Sequence, residues 1–209
     1  RYCKMKKTAV LSSHYFPCIA YFALLLKHPK VVLDFGEHYL KQSYRNRCKI
    51  YSSNGVLPLS IPVLKQSKTA VKDVVLDQRT DWRKLHWKSI CAAYNSSPFF
   101  EFYQDDLKAV FFKDYTSLAQ LNTALLEHLC KEIDVQVALK ISHEYLTPSD
   151  HVNDYRQVLD AKKPYPGAEN YPRYIQIFEE KKGFIQNLSI LDLLFHEGPE
   201  TLNYLKRLV

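Results

Sequence analysis

Residues 8–34 read TAVLSSHYFPCIAYFALLLKHPKVVLD, and the order of segments within them decides the fold class. Thr8 to Leu11 is a short apolar run with strand character. Ser12 to Pro17 is a loop, and Pro17 suits the first turn of a helix. Ile19 to His28 is apolar almost all round, the pattern of a helix buried on every side. Pro29 stops it, and Val31-Val32-Leu33 is a second, β-branched strand. A strand–loop–helix–strand unit of about 30 residues has the size of a βαβ crossover and makes the two strands parallel. Ligands of such sheets sit at the carboxyl ends of the strands. Here those ends are the Ser12–Pro17 and Asp34–Glu37 loops.

The alternation continues downstream. Cys48 to Tyr51 and Val56 to Val63 flank Ser53-Asn54-Gly55, a hairpin signal, and Pro58 and Pro62 mark the second strand as an edge. Lys65 to Lys72 reads as a mobile polar loop, and Val74-Val75-Leu76 as a strand. Phe99 to Phe112 is an aromatic-rich helix. Leu118, Leu121, Leu125 and Leu129 form a helical stripe ending at Glu132, and Val135 to Ile141 reads as a buried strand. The expected fold is α/β: a Rossmann-like layered domain over residues 1–146 with a mixed sheet and an antiparallel hairpin insertion. From Thr147 proline and polar residues dominate, so 147–209 is expected as a loop-rich segment packed on the same domain. It carries short helices at Tyr155–Ala161, Leu188–Phe195 (capped by Asn187) and Pro199–Leu208.

Composition narrows the function classes. At 209 residues, with 46% hydrophobic and 24% charged residues, the chain can build one sizeable core. The net charge of +7 is concentrated: residues 1–50 hold 10 Lys and Arg against 2 acids, and the remainder is close to neutral. That basic quarter suits a phosphate-bearing small molecule, an acidic carrier or nucleic acid, but the sequence holds no nucleic-acid module. The cysteines at 3, 18, 48, 91 and 130 form no CxxC pair and read as reduced thiols rather than a disulfide frame or zinc site. No secretory signal is visible, and the run from Ala20 to Leu26 is too short to span a membrane. Met5-Lys6-Lys7 reads as the natural start. There is no P-loop, GxGxxG or GxSxG motif. The sequence specifies neither a cofactor nor a metal nor an oligomeric state.

The densest stretch is TDWRKLHWKSICAAYNSSPFF, residues 80–100. Thr80 is a plausible N-cap, with Asp81 in the first turn. Trp82, Leu85, Ile90 and Ala93 fall on one stripe, His86 beside it, and Arg83, Trp87 and Tyr94 on the neighbouring strip. Pro98 ends the helix. Two readings stand: a core helix with tryptophan anchors, or a wall of an anionic-ligand site with Arg83 as clamp and His86 as proton donor or acceptor. Arg45 and Arg47 would share a face of an extended segment, able to grip a phosphate or line a basic edge. Asp192, inside an apolar helix, is either a paired structural acid or a site acid.

Four strings give the chain a family resemblance: His14-Tyr15-Phe16-Pro17 through Tyr21-Phe22; Tyr44-Arg45-Asn46-Arg47 with Leu59-Ser60-Ile61-Pro62-Val63; Asp81-Trp82-Arg83-Lys84-Leu85-His86 through Ala93-Tyr94 and Pro98; and Asn187-Leu188-Ser189-Ile190-Leu191-Asp192-Leu193-Leu194-Phe195. In this order they resemble the WbqC-like family of bacterial proteins. The resemblance implies a cytoplasmic role in making or modifying an activated sugar for O-antigen and related surface polysaccharides. The candidate catalytic residues on these strings are His14, His86 and Asp192. The candidate substrate-binding residues are Tyr15, Tyr21, Arg45, Asn46, Arg47, Trp82, Arg83, Tyr94 and Asn187. The chain departs from the usual pattern at Ser12-Ser13, where many members have Gln-Pro, and at Phe35-Gly36, where many carry paired aspartates. It also lacks a Gly-rich segment before the last motif.

Two functions follow. One is a transferase acting on a nucleotide-linked sugar or its acyl or aminoacyl donor, with basic residues on the phosphates and His14 or His86 moving a proton. The other is a non-catalytic protein that binds a sugar nucleotide or a carrier, or assists assembly. The partner in either is an anionic small molecule, with nucleic acid and membrane set aside.

Overall fold

A computed structural model describes residues 8–64, 68–148 and 152–209. The expected start at Met5 and residues 65–67 of the polar loop lie outside the described residues. The opening unit forms as its sequence dictates: strand β1 (Thr8–Leu11), helix α1 (Ile19–Lys27) and strand β2 (Lys30–Asp34). β1 and β2 pair in parallel, with Val10 beside Val32. The hairpin β3 (Arg47–Ser52) and β4 (Gly55–Ser60) turns at Ser53-Asn54. A second antiparallel ribbon, β5 (Val63–Leu64) with β6 (Val75–Leu76), leads into helices α2 (Trp82–Tyr94), α3 (Phe100–Phe111) and α4 (Leu118–Ile133). Strands β7 (Ala138–Ser142) and β8 (Val152–Asp154) follow, then short helices α5 (Glu179–Lys182), α6 (Ile190–Glu197) and α7 (Thr201–Lys206).

The central sheet has the order β7-β2-β1-β8 and every pairing is parallel. The α/β class therefore holds, but the sheet is parallel rather than mixed, and antiparallel pairing is confined to the two ribbons. No helix forms over the expected Tyr155–Ala161 segment, and the strand β8 ends just before it at Asp154. The chain after Asp154 runs through turns, and the Arg156 side chain folds back onto Asp154. β7 is an edge strand whose residues stay partly or fully exposed, so the buried strand expected at 135–141 is also corrected.

Seven consecutive residues of α1, Ile19 to Leu25, are buried. They join side chains from β1, β2, β3, α2, α3, α4, α6 and α7 in one hydrophobic core. Cys18 opens α1 without a side-chain cap. The orphan donors of its first turn are met from the far end of the chain: the Ile19 amide donates to the Leu188 carbonyl at 3.0 Å and the Ala20 amide to Asn187 Oδ1 at 2.8 Å. In return the Ile190 amide of α6 donates to the Pro17 carbonyl at 2.8 Å, and the Ser189 hydroxyl to the Phe16 carbonyl at 3.0 Å. Asn187 thus caps α1, and Ser189 is the N-cap of its own helix. The zipper also fills the α1 N-terminus, where many parallel α/β folds hold a phosphate.

Candidate functional site

β1 runs outward on one side to β2 and β7, while β8 lies on its other side. The strand order therefore reverses at β1/β8, the place where open parallel sheets bind ligands beyond their carboxyl ends. Two buried ion networks occupy that edge. Asp34, at the end of β2, accepts from the Gly36 and Glu37 amides at 2.9 and 3.1 Å, from the Leu146 amide, and from the Arg156 guanidinium. Arg156 also grips Asp154 through Nε at 2.9 Å and Nη2 at 2.5 Å, and lies 4.7 Å from the Tyr145 ring centre. This grip holds the Asp154 carboxyl below its usual range and raises Arg156. Beside it, Arg45 makes a two-pronged pair with Glu37, Nε–Oε1 2.9 Å and Nη2–Oε2 2.5 Å, and donates to Ser12 Oγ at 2.8 Å.

Two cavities open over these networks. The larger, about 470 Å³, is lined by Gly36, Glu37, Tyr145, Asp154, Arg156 and Gln157 among others. Its neighbour, about 250 Å³, shares Leu40, Arg156 and Gln157 and adds Arg45, Lys41 and Lys162. The first offers carboxylates and a half-exposed tyrosine ring, and the second a basic rim.

The residues singled out in the sequence are distributed as follows. Arg45 is at the edge cluster but faces Glu37. Arg47, inside β3, donates to Ser60 Oγ at 2.9 Å. The two do not share a face, because the chain turns before β3 begins. Asn46 braces the neighbouring loop through the Ile61 carbonyl. His14 is buried between the Tyr21 and Tyr44 rings, 4.9 and 5.5 Å from them, and its Nδ1 has no partner. Burial and the Arg45 charge hold its pKa well below 6.5, so it is neutral. Tyr21 donates to the Ser12 carbonyl at 3.0 Å.

His86 Nδ1 lies 2.9 Å from the Tyr15 hydroxyl, and the ring also meets the Ser60 backbone. The ring, 4% exposed, lies within the core. Tyr94 accepts from the Tyr51 amide at 3.2 Å. Asp192 is sealed in the C-terminal helix layer, accepting from Tyr174 at 2.5 Å and Gln176 at 2.8 Å, and burial raises its pKa. Trp82 and Arg83 line a separate cavity at the start of α2. In that helix Asp81, not Thr80, is the N-cap, and Leu85 points to solvent, 64% exposed, while His86 takes the buried place. The α2 stripe therefore runs through Trp82, His86, Ile90, Ala93 and Tyr94.

Sequence reasoning missed Arg156 and Asp154, which it had placed in or beside a helix. The available signal was the Asp-x-Arg spacing in Asp154-Tyr155-Arg156, which lets an arginine return to a carboxylate two residues earlier.

The neutral histidines make the fold acid-sensitive. Burial lowers His86 from 6.5 to about 4. The unfolded chain then takes up a proton that the folded one refuses, so stability falls as pH drops from 6.5 towards 4. His86 alone contributes about 3 kcal/mol to that loss at 1.36 kcal/mol per unit. Urea midpoints at pH 7 and pH 4.5 should separate widely, and His86→Gln, which cannot titrate, should narrow the gap. An unchanged gap would place His86 outside the core arrangement described.

A parallel α/β domain with a cleft at the carboxyl edge of its sheet is the class of protein that fold and site define. The chain belongs to the WbqC-like protein family, whose model matches residues 12–169. It is similar to "Uncharacterized protein Rv1507c" of Mycobacterium tuberculosis (strain ATCC 25618 / H37Rv), 26% identical over 228 residues, with 97% of this chain and 98% of that one covered. No solved structure matches it. Among the described residues, no helix is long and apolar enough to cross a membrane.

Proposed function

We propose that the protein is a cytoplasmic transferase of surface-polysaccharide synthesis that takes a nucleotide-linked sugar, or its acyl or aminoacyl donor, at the carboxyl edge of the sheet. The observation that carries this reading is the pair of adjoining cavities sharing Arg156 and Gln157. Carboxylates and an aromatic ring suit sugar hydroxyls and the apolar face of a sugar ring. Lys41 and Lys162 beside them suit a diphosphate. In this reading His14, neutral and with an unpartnered Nδ1, is the proton-transfer group, reached through the Arg45 side of the cluster. A second reading, binding without catalysis, is favoured by the burial of both His14 and His86.

A thermal-shift screen of nucleotides, nucleotide sugars and acyl carriers tests the proposal. A true ligand at a hundredfold excess over its dissociation constant stabilises by about 2.7 kcal/mol. Gln157 is exposed and touches both cavities, so Gln157→Ala should weaken that shift without lowering the Tm of the free protein. A shift untouched by Gln157→Ala would remove the ligand from this edge. Turnover of the stabilising ligand decides between transfer and binding.

A further inference from the structure

We propose that the N-terminal end of α2 carries a second, separate oxyanion site, in which Arg83 supplies a two-pronged donor and Trp82 a third hydrogen bond. Three other arginines of this chain use one mode of pairing. Arg45, Arg79 and Arg156 each turn the Nε–Nη2 edge of the guanidinium onto a single carboxylate: Glu37, Asp77 and Asp154. Arg83 presents the same edge, and both Nε and Nη2 are buried with no partner. A guanidinium has no acceptor atoms and does not deprotonate. Its buried donors therefore call for an acceptor from outside the chain, since leaving them unmet carries a full desolvation cost. Stacking on the Trp82 ring, 5.3 Å away, shields the face of the guanidinium and leaves its edge unmet.

Trp82 makes the same demand independently. It is 4% exposed, and its indole Nε1, a donor only, is buried without a partner. Both residues line one cavity of about 360 Å³ with Gln78, Arg79, Thr80, Asp81 and Lys84. Charge accounting isolates Arg83: Arg79 is paired with Asp77 and Lys84 with Asp81, each at 2.6–2.7 Å. Asp81 makes no side-chain cap, so the first-turn amides of this 13-residue helix add their partial positive charge. The α1 N-terminus, by contrast, is filled by Asn187. The ligand chemistry is an oxyanion, phosphate or carboxylate, matched to the fork edge of an arginine. Its uptake requires a small shift of the guanidinium towards the cavity, since the donors are covered as they stand.

The chain has two tryptophans, so Trp87→Phe leaves Trp82 as a reporter inside the site. Inorganic pyrophosphate and succinate are titrated into this protein at constant ionic strength, with chloride as control. A saturable change in emission with either, weakened about tenfold or more by Arg83→Gln, is expected for a charge-assisted fork. The responding probe names the oxyanion. No saturable response, or equal affinity in Arg83→Gln, overturns the proposal and leaves water as the partner of these donors. If Trp87→Phe does not fold, titration calorimetry of the same two probes into the parent protein and Arg83→Gln separates the same outcomes. Gln157→Ala should leave this titration unchanged, so its outcome is separate from that of the sheet-edge reading.

Discussion

Arg45→Ala is expected to cost the protein about 3–5 kcal/mol of stability, the range for removing one partner of a buried ion pair. Arg45 and Glu37 are both nearly sealed, with side chains 3% and 5% exposed. Truncating the arginine strands the Glu37 carboxylate in the core and strips Ser12 Oγ of its donor. The sequence alone suggests the opposite outcome, a surface arginine whose loss weakens ligand binding and spares the fold. The two accounts differ by a large shift in the urea midpoint at unchanged slope. Replacing both partners, Glu37→Leu with Arg45→Met, should recover most of the loss, because two apolar side chains leave no buried charge. A single substitution that lowers the unfolding free energy by less than about 0.5 kcal/mol would show the pair to be exposed.

Gly36→Ala should be nearly as damaging, for a steric reason. A Cβ at Gly36 would lie 2.1 Å from the Tyr145 amide nitrogen, 2.2 Å from the Glu144 carbonyl carbon and 2.8 Å from Glu144 Cα. These are backbone atoms, and no side-chain rotation relieves the contact. The segment after β7 must move away from β2, breaking the Leu146–Asp34 hydrogen bond and lifting Tyr145 from Arg156. Overpacking of this kind costs about 1–3 kcal/mol and sometimes more. It should also abolish binding at the larger cavity, whose wall is Tyr145 and Gly36. Denaturation and ligand titration of the same variant check both effects, and wild-type affinity in Gly36→Ala would show that the Tyr145 wall is dispensable. The glycine lets Glu144 and Tyr145 close over the strand end.

Much of the frame was legible in the sequence. The Thr8–Asp34 reading sets two parallel strands and a buried helix, and the Asn54-Gly55 signal sets the hairpin, because local periodicity and turn chemistry decide both. The Leu118–Leu129 stripe likewise yields α4. Strand β8 was not legible: three residues in a proline-rich region become a strand only by pairing with β1, a partner about 140 residues away. The edge site was half legible. The βαβ rule pointed to the Ser12 and Asp34 loops, but which arginine meets which carboxylate is a tertiary fact. It turned Arg45 from an expected clamp into an internal ion pair. Asn187 shows the same limit, since its nearest helix in sequence is α6, yet the helix it caps is α1.

The most direct test of a ligand site at the sheet edge is a hydrogen-exchange footprint of the protein with and without the nucleotide sugar that stabilises it best. Added protection is predicted in residues 34–38, 144–148 and 154–157, the three strand-end segments lining the larger cavity, with little change in α6. Protection confined to other segments, or none at saturating ligand, would contradict the placement of the site at the carboxyl edge of the sheet.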